Sequence, residues 1–402
     1  MWRALASTAL ALTACFPGAP DDSTLLDGPV DGLTQPELAT FARGDTQFAR
    51  RFSTTDGLGP TFVATSCDSC HPGDGRSHPE LALVRFGRML DGDVFDPMIA
   101  HGGPQLQSRA IPGQAAERVP DDATGVTRFI APPVSGLGLV EAVPDDVLLA
   151  LADPGDVDGD GISGRPQRLT PTPALADMFA RDVALPDGVG TAAPYVGRFG
   201  RKASATSLLH QTLTAYVQDM GITTPFTGVS LLAGSEVLDA GFEIDAAELA
   251  DVTIYLRTLK APPRRNQSDA RVRAGESLFA DLGCSSCHVS SMTTGSSVIA
   301  ALAGVTFAPY SDFLLHDMGP ELDDGYTEGI ATTSEWRTTP LWGLGLGAQS
   351  QGGEGFYLHD GSARSSAEAV AYHGGEGSAA RSRFDGLSED GRRALYAFLE
   401  SL

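Results

Sequence analysis

The sequence predicts a mainly α-helical protein made of two similar units, with a loop-rich insertion in the first. Three observations support this fold class. The motif Cys-x-x-Cys-His occurs at residues 67–71 and again at 284–288, each time after a stretch with helical periodicity. The segment Ala-Pro-Pro-Arg-Arg-Asn at 261–266 breaks a helical pattern between the two motifs. The 47 glycines and 26 prolines among the 402 residues indicate many turns and long loops.

The first residues predict export. Arg3 precedes an apolar run at 4–14 that is too short to span a bilayer, as in a signal peptide occupying residues 1–14. The tetrad Leu-Thr-Ala-Cys that ends at Cys15 resembles the lipobox of bacterial lipoproteins, so we expect cleavage before Cys15 and lipidation of its thiol. An ordinary leader with an incidental cysteine is the alternative. Residues 15–36 predict a flexible tether, which gives a periplasmic protein anchored to a bacterial membrane through lipid.

Two units follow the tether, at residues 37–262 and 267–402. Helical periodicity marks the start of each unit and returns before its end. The predicted helices lie at residues 36–51, 204–220 and 246–259 in the first unit, and at 271–282 and 391–402 in the second. The insertion, at about 76–194, has short apolar runs without sustained periodicity and is predicted to be loop-rich.

The two cysteine motifs, CDSCH and CSSCH, have the spacing of c-type haem attachment. Two thiols three residues apart reach the two vinyl groups on one edge of a haem, and the adjacent histidine becomes the proximal iron ligand. Disulfides, or half of a zinc site, are the alternatives for one isolated motif. Two motifs, each opening its own helical unit, favour haem. The predicted haem residues are Cys67, Cys70 and His71 in the first unit and Cys284, Cys287 and His288 in the second.

An acidic loop in the insertion predicts a calcium site. Asp156, Asp158 and Asp160 alternate before a glycine, as in the first half of an EF-hand loop. Three carboxylates this close repel one another unless a cation lies between them. The twelfth position, Gln167, lacks the carboxylate of a complete EF-hand, so a solvated acidic loop is the alternative.

The formal net charge of −23 argues against nucleic acid as a partner, because its phosphates would be repelled. The charge favours a basic electron-donor protein, or a small substrate. Covalent haem in an exported chain indicates electron transfer or redox catalysis.

Longer phrases carry a family resemblance. EWRTTPLWGLG at 335–345 and FYLHDGSARSSAEAVAYHGGEG at 356–377 are similar to the C-terminal domain of the bacterial di-haem cytochrome c peroxidase superfamily. SGLGLVEAVP, DGDGISGRP and GRFGRKASATSLLHQTLTAYVQDMGITTP, which start at residues 135, 158 and 197, resemble its di-haem oxidoreductase branch, often labelled thiol oxidoreductase. The resemblance implies two cytochrome c-like domains, with a reactive haem on His71 and an electron-relay haem on His288.

The same resemblance implies a sixth ligand for the second haem. In the superfamily this ligand follows a His-Asp-Gly turn, and the matching position here is His373. A bis-histidine haem, His288 with His373, would have a lower potential than a His/Met haem. Met318, thirty residues after His288, is the rival ligand, and core packing is its other explanation.

Candidate acid–base residues for the first haem also come from the resemblance. Gln211 and Asp219 stand in the order of the glutamine and acidic residue of the peroxidases, although Asp219 lies two residues closer to Gln211 than usual. Glu141 is a further candidate. Arg201 occupies the place of the tryptophan between the haems; it cannot relay an electron by oxidation, but it can hold a haem propionate. Trp336 or Trp342 could substitute in the relay.

The preferred hypothesis is an exported di-haem oxidoreductase that reduces hydrogen peroxide with electrons from a small donor protein. Two rivals remain at this stage. One is a di-haem oxidase that modifies a protein or organic substrate. The other is a lipid-anchored electron carrier in which both irons have six ligands.

Overall fold

The computed structural model describes residues 26–91, 94–191, 193–226 and 241–402. The predicted signal peptide, Cys15 and the first part of the tether lie outside the described residues. Two closely packed helix pairs and a small sheet dominate the fold.

The helices are α1 (Gln35–Ala49), α2 (Leu137–Glu141), α3 (Asp145–Ala150), α4 (Pro173–Arg181), α5 (Leu208–Met220), α6 (Ala246–Thr258), α7 (Ala270–Asp281), α8 (Gly347–Ser350), α9 (Ser366–Ala371), α10 (Ser378–Asp385) and α11 (Glu389–Ser401). Five of them, namely α1, α5, α6, α7 and α11, confirm the helices predicted from periodicity. Side-chain caps fix where they begin: Thr34 with Glu37, and Asp245 with Glu248, form capping boxes at α1 and α6.

The strands are β1 (Thr61–Phe62), β2 (Leu83–Leu90), β3 (Val94–Asp96), β4 (Arg109–Ala110), β5 (Gly125–Phe129), β6 (Arg168–Leu169), β7 (Tyr195–Val196), β8 (Met292–Thr293), β9 (Thr306–Phe307), β10 (Leu315–Asp317) and β11 (Glu335–Arg337). All pair antiparallel, in the sheets β1-β4, β3-β2-β5, β6-β7, β8-β9 and β10-β11.

The prediction of a mainly α-helical chain is only partly correct. Helix, with the short 3-10 turns included, accounts for 36% of the described residues and strand for 12%, so the architecture is mixed. The insertion was predicted to be loop-rich, yet it contains the three-stranded sheet β3-β2-β5, in which Phe86 pairs with Val126. Phe86 is fully buried and anchors the sheet on the body of the protein.

Each half contains one closely packed helix pair, and a glycine permits the close approach in each. In the first pair, α1 against α6, a Cβ at Gly44 would lie 2.2 Å from the carbonyl oxygen of Asp251. In the second, α7 against α11, a Cβ at Gly275 would lie 2.0 Å from the carbonyl oxygen of Ala394. Any side chain at either position would push the helices apart. Each pair contributes side chains to the cavity that its cysteine motif lines.

The two halves also share packing. One cluster of buried side chains joins Val134 and Val252 of the first half to Phe313 and Trp342 of the second. In the described ranges, no helix is long and apolar enough to cross a membrane.

Candidate functional site

The first Cys-x-x-Cys-His motif opens onto a cavity of about 230 Å³. Cys67, Cys70 and His71 lie on its wall with residues of α5 and α6. The Nδ1–H of His71 donates to the carbonyl oxygen of Pro132 at 2.9 Å, which leaves the Nε2 lone pair for a ligand. Burial lowers the pKa of His71 to about 4, so the imidazole is neutral, the form that binds a metal.

The second motif repeats this arrangement on a cavity of about 320 Å³. Cys284, Cys287 and His288 line it, with residues of α9, α10 and α11. The Nδ1–H of His288 donates to the carbonyl oxygen of Tyr310 at 2.8 Å, and burial lowers the pKa of His288 to about 4. Both motif histidines are therefore neutral and present Nε2 as the free nitrogen.

The four motif cysteines are free thiols. Burial raises the pKa of Cys67 and Cys70 to about 12 and that of Cys284 to about 11. A redox-active dithiol needs a lowered pKa, because the thiolate is the nucleophile. The environment of both motifs is therefore unsuited to thiol–disulfide exchange, whereas attachment to a cofactor would consume the thiols.

Several arginines line the two cavities. Arg201 and Arg337 are buried and line both cavities, while Arg76 lines the second. Burial, followed by the charges of Arg76 and Arg337, lowers the pKa of Arg201 well below its ordinary value. Its guanidinium donates to the carbonyl oxygen of Ile130 at 2.6 and 3.1 Å, and the Nε of Arg76 has no partner within the described chain.

This excess of positive charge fits haem. Haem propionates carry carboxylates that could pair with the guanidinium groups at the boundary of the two cavities. A bound haem would also cover the apolar walls around each motif. Together with two free thiols and a neutral histidine in each cavity, these features fit one haem in each.

Zinc is disfavoured by the same geometry. Within the described part of the chain, one motif cysteine lies close to two other possible metal ligands: Cys287 is near Asp312 and His316. Both ring nitrogens of His316 are already bonded, to Asp312 at 2.8 Å and to Glu376 at 2.6 Å. No nitrogen of His316 is left to bind zinc.

Both candidates for the sixth ligand, His373 and Met318, line the second cavity. The Nδ1–H of His373 donates to the carbonyl oxygen of Ala369 at 2.8 Å, which leaves Nε2 free as in His71 and His288. Met318 lies beside it and also packs among the buried side chains around Trp336. Both side chains thus reach the second cavity, and the choice of His373 as sixth ligand stays a prediction.

His210 lines the first cavity but has the opposite tautomer. Its Nδ1 accepts a hydrogen bond from the backbone N–H of Thr206 at 3.3 Å. The ring proton of the neutral imidazole is therefore on Nε2, which has no lone pair to offer an iron. His210 thus differs from the three histidines that present a free Nε2.

Gln211 and Asp219 both lie on α5 and line the first cavity. The Nε2 of Gln105 donates to Oδ1 of Asp219 at 2.9 Å. Burial raises the pKa of Asp219 to about 7, and the charge of Arg85 opposes the shift. The carboxyl group can therefore hold or release a proton near neutral pH.

The expectation for Glu141 requires correction. Glu141 does not belong to the wall of the first cavity; it is fully buried, and Arg257 donates to its two oxygens at 2.6 and 3.0 Å. The backbone N–H of Leu208 donates to it as well, at 2.7 Å. Because these bonds occupy the carboxylate, Glu141 joins α2, α5 and α6 instead of moving protons.

The two tryptophans lie at different cavities. Trp342 lines the first cavity and Trp336 the second. Trp336 contacts Phe129 of the first cavity edge to face, with ring centroids 5.8 Å apart, and stacks on His359 at 3.7 Å. The ammonium of Lys202 lies 4.0 Å from the centroid of the Trp336 ring. Phe129 and Trp336 thus bring aromatic rings from the two cavities into contact.

The acidic loop differs from the predicted set by one residue. The carboxylates of Asp153, Asp156 and Asp158 lie within 4.8 Å of one another, whereas Asp160 is outside this group and lines the second cavity. Asp160 instead accepts a hydrogen bond from the backbone N–H of Ile162 at 2.8 Å. Calcium binding by this loop stays a prediction.

Sequence reasoning missed two groups because their members are far apart in the chain. One is the cluster of His316 with Asp312 and Glu376 beside the second motif. The other is the ion pair of Arg85 with Glu328, separated by 243 positions, which lines the first cavity. No short motif contains either group.

Replacing Glu376 with glutamine is expected to destabilise the protein by about 2 kcal/mol at pH 7, because a charge-assisted hydrogen bond to buried His316 is lost. Burial would raise the pKa of Glu376, but His316 and Ser163 lower it to about 2. The contribution is therefore present above pH ~4.5 and lost as the pH falls towards ~2. Thermal unfolding of wild type and variant across this range measures it. The exposed Glu354→Gln is the control; a difference that persists at pH ~2 contradicts the assignment.

A family model described as "Di-haem oxidoreductase, putative peroxidase" matches residues 114–402, which include the second motif. No curated protein matches the chain. A structure of hydrazine synthase from Kuenenia stuttgartiensis, pressurised with xenon, aligns over 100% of both chains at 15% identity, with a TM-score of 0.40. Because the family model covers well over half of the chain, the protein belongs to the di-haem oxidoreductase family.

Proposed function

We propose that the protein is an exported c-type di-haem oxidoreductase that reduces a small oxidant such as hydrogen peroxide in the first cavity. Electrons would enter at the second cavity from a small donor protein. The observation that carries the proposal is the difference between the two cavity walls. The second cavity presents His373 with a free Nε2. The first presents the carboxyl group of Asp219, which can transfer a proton, and the amide of Gln211, which can form hydrogen bonds.

Covalent attachment belongs to this proposal. The thiols of Cys67 and Cys70, and those of Cys284 and Cys287, would bond the haem vinyl groups. His71 and His288 would hold the irons through Nε2, and the arginines Arg76, Arg201 and Arg337 would pair with propionates. Each haem supplies, when bound, an iron that exchanges single electrons, and an iron with an open position also binds small ligands.

In the first cavity the protein's own groups would handle the proton. The carboxyl of Asp219 is held by Gln105 and has a pKa of about 7, so it can accept a proton from a bound hydroperoxide and return it. Gln211 lies eight positions before Asp219 on α5 and lines the same cavity. Its amide can form a hydrogen bond to the same ligand. The buried pair Glu141–Arg257 fixes α5 against α6, so these groups keep their positions.

Electron transfer between the cavities is supported by the aromatic contact and by the shared arginines. Phe129 and Trp336 lie edge to face between the cavities, and Arg201 and Arg337 line both. Arg201 would act through charge, since its guanidinium cannot be oxidised. The ammonium of Lys202 over Trp336 would disfavour positive charge on that ring. We therefore favour direct electron transfer between the two cavities. Transient oxidation of Trp336 to a radical is the less favoured route.

Export, the lipid anchor at Cys15 and calcium in the acidic loop complete the proposal. The export proposal rests on the leader sequence, which is outside the described residues. The net charge of −23 supports a basic electron donor and argues against nucleic acid.

Asp219→Asn is expected to lower peroxide turnover about 100-fold, the usual loss when a positioned proton acceptor is removed. The pKa of about 7 means that the carboxyl is protonated below pH 7 and ionised above it. Wild-type activity limited by this acceptor therefore rises through pH ~7, and the variant has a flat profile. Initial rates with reduced donor across this range provide the measurement. Asp177→Asn, at an exposed site on α4, is the control. Unchanged turnover and pH profile in Asp219→Asn would rule out the role.

A further inference from the structure

An ion pair between the two halves forms part of the first cavity. Arg85 lies on β2 of the insertion, and Glu328 lies in the C-terminal half. The Nη1 of Arg85 donates to Oε1 of Glu328 at 2.7 Å, and both side chains line the cavity. Their exposed fractions are 12% and 11%, so the pair is largely withdrawn from bulk water.

The segment 323–331, called here the bridging loop, is fixed in place by contacts with the first half. Tyr326, which is 1% exposed, packs edge to face against Phe95 and Phe129 at 5.1 and 6.2 Å. The amide of Gln167 clamps the loop by donating to the carbonyl oxygen of Glu328 at 2.7 Å and accepting from the N–H of Ile330 at 3.0 Å. Glu328 is thereby held at the cavity by packing that does not depend on the ion pair.

Gly125 allows the loop to approach. A Cβ at Gly125 would lie 2.2 Å from the carbonyl oxygen of Gly325. The sheet of the insertion therefore contacts the bridging loop directly, and β2 can present Arg85 to Glu328. This contact gives the insertion a role at the first cavity.

The pair retains unused hydrogen-bonding capacity. The Nη2 of Arg85 donates to Oε1 of Gln218 at 3.1 Å, but its Nε is buried with no partner within the described residues. A carboxylate has about four acceptor positions, and Arg85 occupies one of those on Glu328. Because Glu328 lines the cavity, its remaining acceptor positions point to a ligand that carries a hydrogen to donate.

We propose that Arg85 and Glu328 bind one end of the hydrogen peroxide molecule: Glu328 accepts a hydrogen bond from one O–H group and Arg85 donates to the same oxygen, while Asp219 takes the proton of the other O–H group. A hydroperoxide has an acidic hydrogen next to an oxygen lone pair, which matches a carboxylate beside a guanidinium. A ligand without that hydrogen cannot donate to the carboxylate of Glu328, and an anionic ligand is repelled by its negative charge. This inference rests on the proposed function, since it assigns the oxidant's contacts in the same cavity.

Fluoride is a redox-inert probe of this arrangement, because it binds ferric haem and arrives with a proton if an acceptor is beside it. The experiment titrates the ferric holoprotein with fluoride by absorbance at several pH values and measures proton uptake. Wild type is expected to take up one proton per fluoride, so its affinity falls about 10-fold per pH unit. Glu328→Gln is expected to bind fluoride without proton uptake and with an affinity independent of pH.

Arg85→Met is expected to weaken fluoride binding about 30-fold while proton uptake is kept, since a charge-assisted hydrogen bond is lost. Arg85→Lys keeps the positive charge, so its affinity for fluoride is expected to lie between those of wild type and Arg85→Met. Glu335→Gln is the matched control: Glu335 pairs with Arg165, is 10% exposed, and does not line the first cavity. It is expected to bind fluoride as wild type does.

Other ionisable groups lie near the pair, and their proton uptake must be distinguished from that of Glu328. Asp219 and Lys202 act electrostatically on the pair, and Tyr326 and Asp324 lie on the bridging loop. Between about pH 5 and 6 Asp219, with its pKa of about 7, is already protonated and cannot take up the proton that comes with fluoride. In that range, proton uptake retained in Asp219→Asn and Tyr326→Phe but lost in Glu328→Gln supports the inference. Uptake unchanged in Glu328→Gln, with normal fluoride binding, overturns it and leaves the proposed function intact. No fluoride binding to wild type removes the open position and, with it, both proposals.

Discussion

Replacing Cys67 and Cys70 together with serine is expected to leave one covalently attached haem per chain and to lower peroxide turnover at least about 1,000-fold, because the first cavity loses the cofactor on which its residues act. Mass spectrometry of the denatured protein counts the attached haems, and a peroxide assay with reduced donor gives the rate. His71 stays in place, so haem bound only through iron would dissociate on denaturation.

The matched control is Cys284→Ser with Cys287→Ser, which removes the same bonds at the second cavity. That variant should also carry one covalent haem, but it should still bind fluoride at the first cavity while losing electron supply from the donor. Two attached haems in the Cys67/Cys70 double variant would contradict c-type attachment at the first motif.

Replacing His373 with alanine is expected to convert the second haem from low-spin to high-spin, which alters about half of the total haem absorbance. The reason is geometric: His373 lines the second cavity and has its Nδ1–H bonded to Ala369, so its Nε2 is free to act as the sixth ligand. Absorbance and magnetic circular dichroism of the ferric protein distinguish the two spin states.

Met318→Leu is the control for this result, because Met318 lies beside His373 in the same cavity. If His373 is the ligand, Met318→Leu keeps the low-spin spectrum. The opposite pattern, in which Met318→Leu becomes high-spin and His373→Ala does not, would assign the ligand to Met318 and imply a higher potential.

The parts of the fold that could be predicted from the sequence depend on local patterns. Helical periodicity predicted α1, α5, α6, α7 and α11, and their ends differ from the predicted ends by a few residues. The sheet β3-β2-β5 was missed because β2 contains Arg85, Gly87 and Arg88 and lacks regular alternation. Its partner β5 lies about 40 residues further on and pairs through tertiary packing that no local pattern reveals.

The candidate site follows the same rule. The motif residues were predictable because their chemistry lies within five consecutive positions. Glu141 was misassigned since its partner, Arg257, is 116 positions away and only the fold shows that the carboxylate is occupied. Arg85 and Glu328 were missed for the same reason. The leader, the tether and the domain boundaries stay predictions of the sequence.

The central claim is that peroxide is reduced in the first cavity with electrons held at the second. Its most direct test is stopped-flow absorbance of the holoprotein after reduction by one electron and mixing with hydrogen peroxide. The account predicts rapid oxidation of the haem at His288, with continued turnover when donor is supplied. A spectrum that stays low-spin and does not change on mixing would contradict the account and identify the protein as an electron carrier.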